Sequence, residues 1–247
     1  MGIFRNSKIA NIGITDFHTH LLPAIDDGSK NIKQSLKMLN KEKEAGVSRI
    51  IATPHFYKSH ETFDSFLEKR NLAFKKLEKA CDLSCYPELL LGSEVHYFES
   101  IGETDDILSL RIQGTDLMLL EMPEISWSEH ILNEIEKINE NYNITPVIAH
   151  IERCWFKQTT ETLLQLLSMN ILIQSNAEFF YSKKDSKSAI NLISNNYINF
   201  LGSDCHGIKY RPVDITKAVN IITKKMGKTF FDDWRKNSEN TFEKHLI

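Results

Sequence analysis

The chain has 247 residues, of which 41% are hydrophobic and 26% are charged, so it is neither disordered nor fibrous in composition. Its formal net charge of -3 argues against general nucleic-acid binding, which needs a basic surface. The four cysteines form no CxxC pair or disulfide framework, and we find no secretory segment and no apolar run near the ~18 residues of a membrane span. We therefore expect a cytoplasmic protein without membrane insertion.

Short apolar runs alternate with amphipathic stretches along the chain. Seven runs are predicted as strands: Ile12–Phe17, Arg49–Thr53, Glu88–Val95, Asp116–Met122, Ile144–Ala149, Ile171–Asn176 and Asn199–Gly202. Helices are predicted at Ile32–Ala45, Phe63–Cys81, His130–Asn141, Thr160–Met169 and Lys184–Ile193, with a closing helix at Phe230–Phe242. For the first helix, Ser29 is the predicted N-cap and Gly46 the C-terminal stop.

The alternation of strands and helices predicts βαβ units around a parallel sheet. An open, doubly wound sheet would also fit, but in nucleotide-binding proteins it has a glycine-rich turn after its first strand, and Asp16–His20 contains no glycine. The pattern therefore favours an α/β barrel, with residues 1–247 as a single domain.

Six of the seven apolar runs end in residues that can bind metal. These residues are His18 and His20, followed by Asp26 and Asp27, then His55, Glu94, Glu121, His150, and finally Asp204 and His206. In a barrel, the carboxyl ends of the strands converge on the face that carries the active site. Ligands that are far apart in sequence are therefore expected to meet.

Each of these residues by itself is weak support for a metal site. A single histidine after a strand is more often structural, and Asp26 or Asp27 would serve equally well as a helix cap. The set is more informative, because many buried carboxylates and imidazoles around one point are costly without cations. Nitrogen and carboxylate ligands suit manganese, iron or zinc. We interpret the other histidines, His60, His96, His130 and His245, as surface or structural residues.

Two arginines closely follow predicted ligands. Arg153 comes three residues after His150, and Arg211 comes five residues after His206. Either one alone is as easily explained by a salt bridge. Because a guanidinium matches phosphate oxygens in a two-pronged geometry and both arginines lie just past ligand positions, we predict that they bind phosphate.

These motifs resemble a known superfamily. The segments DFHTH, ATPH, GSEVH, LLEMP, IAHIER and GSDCHG, in this order from Asp16 to Arg211, resemble the polymerase and histidinol phosphatase (PHP) superfamily. Within it, DFHTHLLPAIDDGS followed by ATPHF looks like the manganese-dependent protein-tyrosine phosphatases of bacterial capsular and exopolysaccharide operons.

The resemblance implies a distorted, TIM-like (β/α)7 barrel that holds three divalent or trivalent metal ions, with Mn2+ the first choice and Fe or Zn as alternatives. Carried over position by position, one ion has the ligands His18, His20, Glu94 and Asp204. A second shares Glu94 and adds Glu121 and His150. A third has Asp27, His55 and His206, although Asp26 remains an alternative to Asp27.

The implied reaction is metal-assisted phosphoester hydrolysis, with Arg153 and Arg211 holding the phosphate oxygens. Asp204 or His206 is expected to assist proton transfer, which the sequence does not separate from metal binding. The implied substrate and partner is a phosphotyrosine-bearing bacterial tyrosine autokinase that controls polysaccharide synthesis. The sequence does not indicate the oligomeric state.

Four alternatives compete with this interpretation. Cys205 and Arg211 form a C-x5-R pattern, as in cysteine-dependent phosphatases, but the intervening HGIKY has too few small residues for a phosphate loop. A histidinol-phosphate or other small-molecule phosphatase would use the same metal residues. A DNA-acting module is disfavoured by the negative charge, and an inactive metal-holding protein is disfavoured by the complete ligand set.

Overall fold

The strands and helices of this computed structural model alternate along the chain over residues 12–247, the part that the structure describes. Nine strands lie in this part: β1 (Thr15–Thr19), β2 (Arg49–Ala52), β3 (His55–Phe56), β4 (Glu88–Leu91), β5 (Glu94–His96), β6 (Leu117–Glu121), β7 (Thr145–Ile148), β8 (Leu172–Asn176) and β9 (Phe200–Gly202). The same residues form eight α-helices: α1 (Ile32–Ala45), α2 (Phe63–Ala80), α3 (Glu129–Tyr142), α4 (Thr160–Ser168), α5 (Ala177–Tyr181), α6 (Ser186–Ser194), α7 (Ile215–Met226) and α8 (Lys228–Lys244).

All strand pairs within the two sheets are parallel. One sheet has the order β1-β2-β4 and the other the order β3-β5-β6-β7-β8-β9. The predicted strand Glu88–Val95 is divided, because Gly92 and Ser93 separate β4 from β5. Between β2 and β3, Pro54 has no N–H to donate to a ladder. The molecule thus has the predicted α/β fold, and its parallel strands together form a half-barrel.

A small apolar cluster packs inside the curved sheet and leaves the strand ends to polar residues. Phe17 of β1 stacks on Phe200 of β9 with ring centroids 4.0 Å apart. Ile51, Leu119 and Val147 belong to the same buried cluster. Because this layer fills the interior, the histidines and carboxylates that follow the strands lie together above it.

The termini of α1 show one wrong and one correct prediction. The N-cap is Asn31, whose side chain accepts a hydrogen bond from the Gln34 N–H at 3.0 Å. Ser29 is not the cap, because its N–H pairs with the His20 carbonyl at 2.9 Å and its hydroxyl pairs with that of Ser35 at 2.8 Å. Gly46 ends the helix as predicted, with a φ of 74° that favours glycine.

Two differences concern the C-terminal part. The prediction omitted α7, although its buried residues Ile215, Ala218, Val219 and Ile222 have helical spacing. The last helix, α8, extends beyond the predicted Phe230–Phe242 at both ends.

Over residues 12–247, no helix combines the length and the apolar character that a membrane crossing requires. The assignment of residues 1–247 to a single domain stays a prediction, and residues 1–11 lie outside the described part.

Candidate metal centre

The carboxyl ends of the strands bring all nine predicted metal ligands together. Their ligand atoms form four overlapping groups, and within each group the atoms lie within 4.8 Å of one another. The groups are His18, His20 and Asp204; His18, Glu94 and His150; His55, Glu94 and Glu121; and His20, Asp27, His55 and His206.

Glu94 lies at the centre of these groups. Its Oε2 atom is 3.1 Å from His18 Nε2, 3.2 Å from His20 Nε2 and 2.8 Å from His55 Nδ1. Its Oε1 atom is 2.8 Å from His150 Nε2. The side chain is 1% exposed. A buried carboxylate surrounded by four imidazoles can bridge cations on both of its oxygen atoms.

The two histidines of the DFHTH motif, His18 and His20, also share Asp204 as a neighbour. The Nε2 atoms of His18 and His20 lie 3.5 and 3.4 Å from Asp204 Oδ1, and 3.0 Å from each other. Alternate residues of a strand point to the same side, which explains this convergence. This group contains three of the four ligands expected for the first ion, and the fourth, Glu94, belongs to two other groups.

The neighbouring aspartates, Asp26 and Asp27, have different positions. Asp27 Oδ1 lies 3.4 Å from His55 Nε2 and 3.2 Å from His206 Nε2, so it belongs to the ligand groups. Asp26 Oδ2 lies 2.7 Å from His20 Nδ1, the ring nitrogen that faces away from the other ligands. Asp26 therefore orients His20, and the structure favours Asp27 for the ligand position.

The atoms around Glu94 fit a cation better than a hydrogen-bond network. Within residues 12–247, neither Glu94 Oε2 nor Asp204 Oδ1 has a hydrogen-bond partner, although both are buried. A cation about 2.1 Å from each ligand would leave ligand atoms about 3.0–3.4 Å apart, the edges of an octahedron or a tetrahedron. The Nε2 atoms of His18 and His20 lie 3.0–3.5 Å from each other, from Glu94 Oε2 and from Asp204 Oδ1, which matches this spacing.

The protonation of Glu94 and His206 suits metal binding, whereas that of His20 and His150 does not. Burial alone would lower the pKa of both histidines, but hydrogen bonds to the surrounding carboxylates raise that of His20 well above its usual value and that of His150 to about 9, so a bound cation would have to displace a proton from each ring. Burial alone would raise the pKa of Glu94, but the charge on His18 and the hydrogen bond from His150 outweigh it and hold the pKa well below its usual value. For His206, burial and the charge on His20 lower the pKa to about 4. Its ring is thus neutral at pH 7, as a metal ligand requires.

The two predicted arginines converge at the edge of the ligand groups. Arg153 donates to Asp204 Oδ2 at 3.0 Å, and Arg211 donates to the same oxygen. Their side chains remain 32% and 26% exposed. Both also line a cavity of about 220 Å³ that includes Phe179 and Tyr181. The guanidiniums can therefore reach both the ligand groups and an entering phosphate.

Cys205 cannot act as the nucleophile of a cysteine phosphatase in this arrangement. Its side chain is fully buried, and its thiol points to Glu42 Oε1 at 3.8 Å. Burial, together with the charges on Glu42 and Asp16, raises the pKa of the thiol well above its usual value. A protonated, inaccessible thiol is a poor nucleophile, so the C-x5-R pattern is a coincidence of sequence.

Two residues of the site were missed by the sequence analysis. His96, interpreted from the sequence as a surface or structural residue, is the last residue of β5, and its Nδ1 lies 3.0 Å from Glu121 Oε2. Its place two residues after Glu94 was the signal. Asn176, at the end of the one apolar run without a predicted site residue, donates to Asp204 Oδ2 at 2.7 Å.

Comparison with known proteins gives consistent results. The family described as "Capsular polysaccharide synthesis, CpsB/CapC" matches residues 14–243. "Tyrosine-protein phosphatase CpsB" of Streptococcus agalactiae is 25% identical over 248 residues, with 94% of this chain and 99% of that protein covered. "Tyrosine-protein phosphatase YwqE" of Bacillus subtilis is 27% identical over 227 residues, with 86% of this chain and 85% of that protein covered.

A solved structure shares the fold. It is described as "Crystal structures of YwqE from Bacillus subtilis and CpsB from Streptococcus pneumoniae, unique metal-dependent tyrosine phosphatases". The alignment has a TM-score of 0.79 and 24% sequence identity, and it covers 95% of this chain and 96% of that chain. At this identity the likeness supports the arrangement of strands and helices described above.

Proposed function

The chain belongs to the capsular polysaccharide synthesis CpsB/CapC family, and from this membership we propose that it is a metal-dependent protein-tyrosine phosphatase. The observation that carries the proposal is the convergence of nine metal-capable side chains and two arginines at one end of the sheet. The relatives named above as tyrosine-protein phosphatases support the choice of substrate.

We propose that these nine residues hold three ions with the ligand sets given above, in which Glu94 is shared between the first ion and the second. Manganese is the first choice, and iron or zinc would accept the same nitrogen and carboxylate ligands. Bound metal ions would stabilise negative charge on the phosphoryl group and lower the pKa of a bound water toward neutrality. Asp26 and Asn176 position this set, because they hydrogen-bond His20 and Asp204 through atoms that face away from the other ligands.

Arg153 and Arg211 are proposed to hold the non-bridging oxygens of the phosphate. Their guanidiniums already lie side by side on Asp204 Oδ2, and partial exposure allows them to turn toward a ligand. A tyrosinate leaving group has a reference pKa near 10, so a strong general acid is dispensable. The absence of a general acid agrees with the state of Asp204 and His206, because their lowered pKa values leave both groups without a proton at pH 7.

The expected TIM-like (β/α)7 barrel belongs to this proposal as well. Closure is supported by an isolated parallel bridge between Thr19 and Cys205, which joins the first strand to the segment after the last. The His20 N–H donates to the Cys205 carbonyl at 3.0 Å, and the Asp204 N–H donates to the His18 carbonyl at 2.7 Å. These bonds would place the ligands of the two chain ends side by side.

The proposed partner is a phosphotyrosine-bearing bacterial tyrosine autokinase that controls capsular or exopolysaccharide synthesis, and the alternative substrate is histidinol phosphate or another small phosphoester. The test is hydrolysis of a phosphotyrosine peptide and of histidinol phosphate by purified protein with added Mn2+. We expect turnover of the peptide, loss with a chelator and recovery with added metal. Preference for histidinol phosphate would contradict the protein-phosphatase assignment. Turnover that persists with a chelator would contradict the proposal that hydrolysis depends on bound metal ions.

A further inference from the structure

A large basic cleft lies directly beside the ligand groups and has no role in the mechanism above. Its volume is about 630 Å³, and its lining includes Asp27 and His206 of the predicted metal site. The same cleft is lined by four lysines: Lys30, Lys33, Lys37 and Lys209. A substrate bound at the metals therefore has this cleft as its immediate neighbour.

Among residues 12–247, none of the four cleft lysines takes part in a salt bridge. All four lysines are exposed. The lysines that form salt bridges among residues 12–247 lie elsewhere: Lys41, Lys69, Lys137, Lys157, Lys217 and Lys228. Asp27 is the one acidic residue in the lining, and it faces the histidines His55 and His206. Four lysines in one cleft are notable in a chain whose net charge is -3.

The cleft is held in place relative to the metal site. Lys33 and Lys37 are one helical turn apart on α1, and Gln34 between them donates from Nε2 to the His206 carbonyl at 3.3 Å. Gly207 packs so closely on Gln34 that an added Cβ would lie 2.7 Å from its Nε2 atom. The lysine-bearing helix is thereby attached to the segment that carries His206.

The cavity beside the arginines has a different character. Its lining combines Arg153 and Arg211 with the aromatic residues Phe179 and Tyr181 and the acidic residues Glu178 and Asp185. Beyond the two arginines, an acidic peptide segment would therefore meet carboxylates on that side and four lysines on the other. The two cavities thus favour one direction for the charged flank of a peptide substrate.

We propose that the cleft formed by Lys30, Lys33, Lys37 and Lys209 binds anionic side chains of the substrate polypeptide, on one flank of the phosphotyrosine that is hydrolysed. The inference rests on the proposed phosphatase function and adds a substrate class to it. Glutamate or aspartate carboxylates and a second phosphotyrosine share the required chemistry. Exposed lysines contribute to recognition mainly through screened electrostatic attraction, so the preference is expected to weaken with salt.

The experiment compares peptides that differ only in the flanks of one phosphotyrosine. One peptide has neutral flanks, one has three glutamates before the phosphotyrosine, one has them after it, and one carries a second phosphotyrosine. We expect the Mn2+-loaded protein to hydrolyse one acidic-flank peptide with a kcat/KM about 3- to 10-fold higher than the neutral peptide at low ionic strength, mainly through KM.

Charge reversal separates this cleft from a general charge effect. Lys33→Glu with Lys37→Glu should remove the preference, whereas Lys75→Glu with Lys79→Glu, exposed and equally spaced on α2, should retain it. Hydrolysis of a small aryl phosphate should be the same in all three proteins. Selectivity for the doubly phosphorylated peptide alone would support the proposal and identify phosphate as the ligand.

Several results would overturn the inference while leaving the phosphatase assignment intact. These are equal kcat/KM for all peptides, or an acidic preference that survives in the Lys33/Lys37 variant. Binding to phosphatidylserine vesicles that this variant loses, without any peptide preference, would assign the cleft to a membrane surface instead. If the unaltered protein with Mn2+ hydrolyses neither aryl phosphate nor any peptide, the proposed function itself fails.

Discussion

Replacing Asp26 by Asn tests whether the carboxylate behind His20 supports metal binding. Asp26 accepts hydrogen bonds from three donors: His20 Nδ1 at 2.7 Å, the Gly28 N–H at 3.0 Å and the His55 N–H at 3.2 Å. Burial alone would raise the pKa of this carboxyl, but the hydrogen bond and charge of His20 lower it to about 2. The group is therefore a carboxylate at every pH at which the enzyme would be assayed.

An amide cannot satisfy these three donors. Its single oxygen can take the place of Oδ2 and serve His20 and His55, but its NH2 group then faces the Gly28 N–H. In the flipped orientation, the NH2 group faces His20 and His55. One unsatisfied buried donor costs about 1–3 kcal/mol. Loss of a carboxylate behind a ligating histidine lowers metal affinity about 10- to 100-fold, or about 1.4–2.7 kcal/mol.

The measurement is the Mn2+ concentration that gives half-maximal hydrolysis of an aryl phosphate, supported by calorimetric metal titration. Asp26→Asn should raise this concentration about 10- to 100-fold and recover much of its activity at saturating metal. Asp233→Asn, an exposed substitution on α8 with the same charge change, should leave it unaltered. Metal dependence of Asp26→Asn that matches the unaltered protein would refute the orienting role.

Arg153→Ala should lower kcat about 10²- to 10³-fold for a phosphotyrosine peptide, since a charged donor to the transition state is lost, and retention of full kcat in steady-state assays would contradict the clamp. Cys205→Ser should keep most of the activity, because the thiol is buried beside Glu42, whereas loss of turnover in a correctly folded variant would revive the cysteine mechanism. Burial raises the pKa of Asp16 to about 6, and burial together with the charge of Asp16 raises that of Glu42 well above its usual value. Because both buried carboxyls favour the protonated form, the free energy of unfolding should fall as the pH rises from about 4 to above 6. Glu42→Gln should therefore stabilise the protein by about 1–3 kcal/mol at pH 8 and by less at pH 5 in urea unfolding, and an equal effect at both pH values would disprove the coupling.

Local patterns in the chain were sufficient for the alternation of elements and for the convergence of the candidate ligands. Each apolar run encodes its own strand, and a parallel α/β arrangement sends the carboxyl ends of the strands to one side. His18, Glu94 and Asp204 could thus be expected to lie on one face of the sheet without coordinates. The end of α1 at Gly46 could also be predicted from local sequence, because a positive φ at a helix terminus favours glycine. Helix α7 was readable from the same kind of spacing and was overlooked.

Other features were decided by tertiary structure, because they depend on packing between residues distant in sequence. Asp26 and Asp27 are adjacent and chemically equal in the chain, and only the fold of their loop directs Asp27 to His206 and Asp26 to the outer nitrogen of His20. The lysine cleft likewise combines Lys33 and Lys37, an ordinary exposed pair by sequence, with Lys209 more than 170 residues away. Periodicity specifies which face of an element is buried, but the neighbours of that face depend on how all the elements pack together.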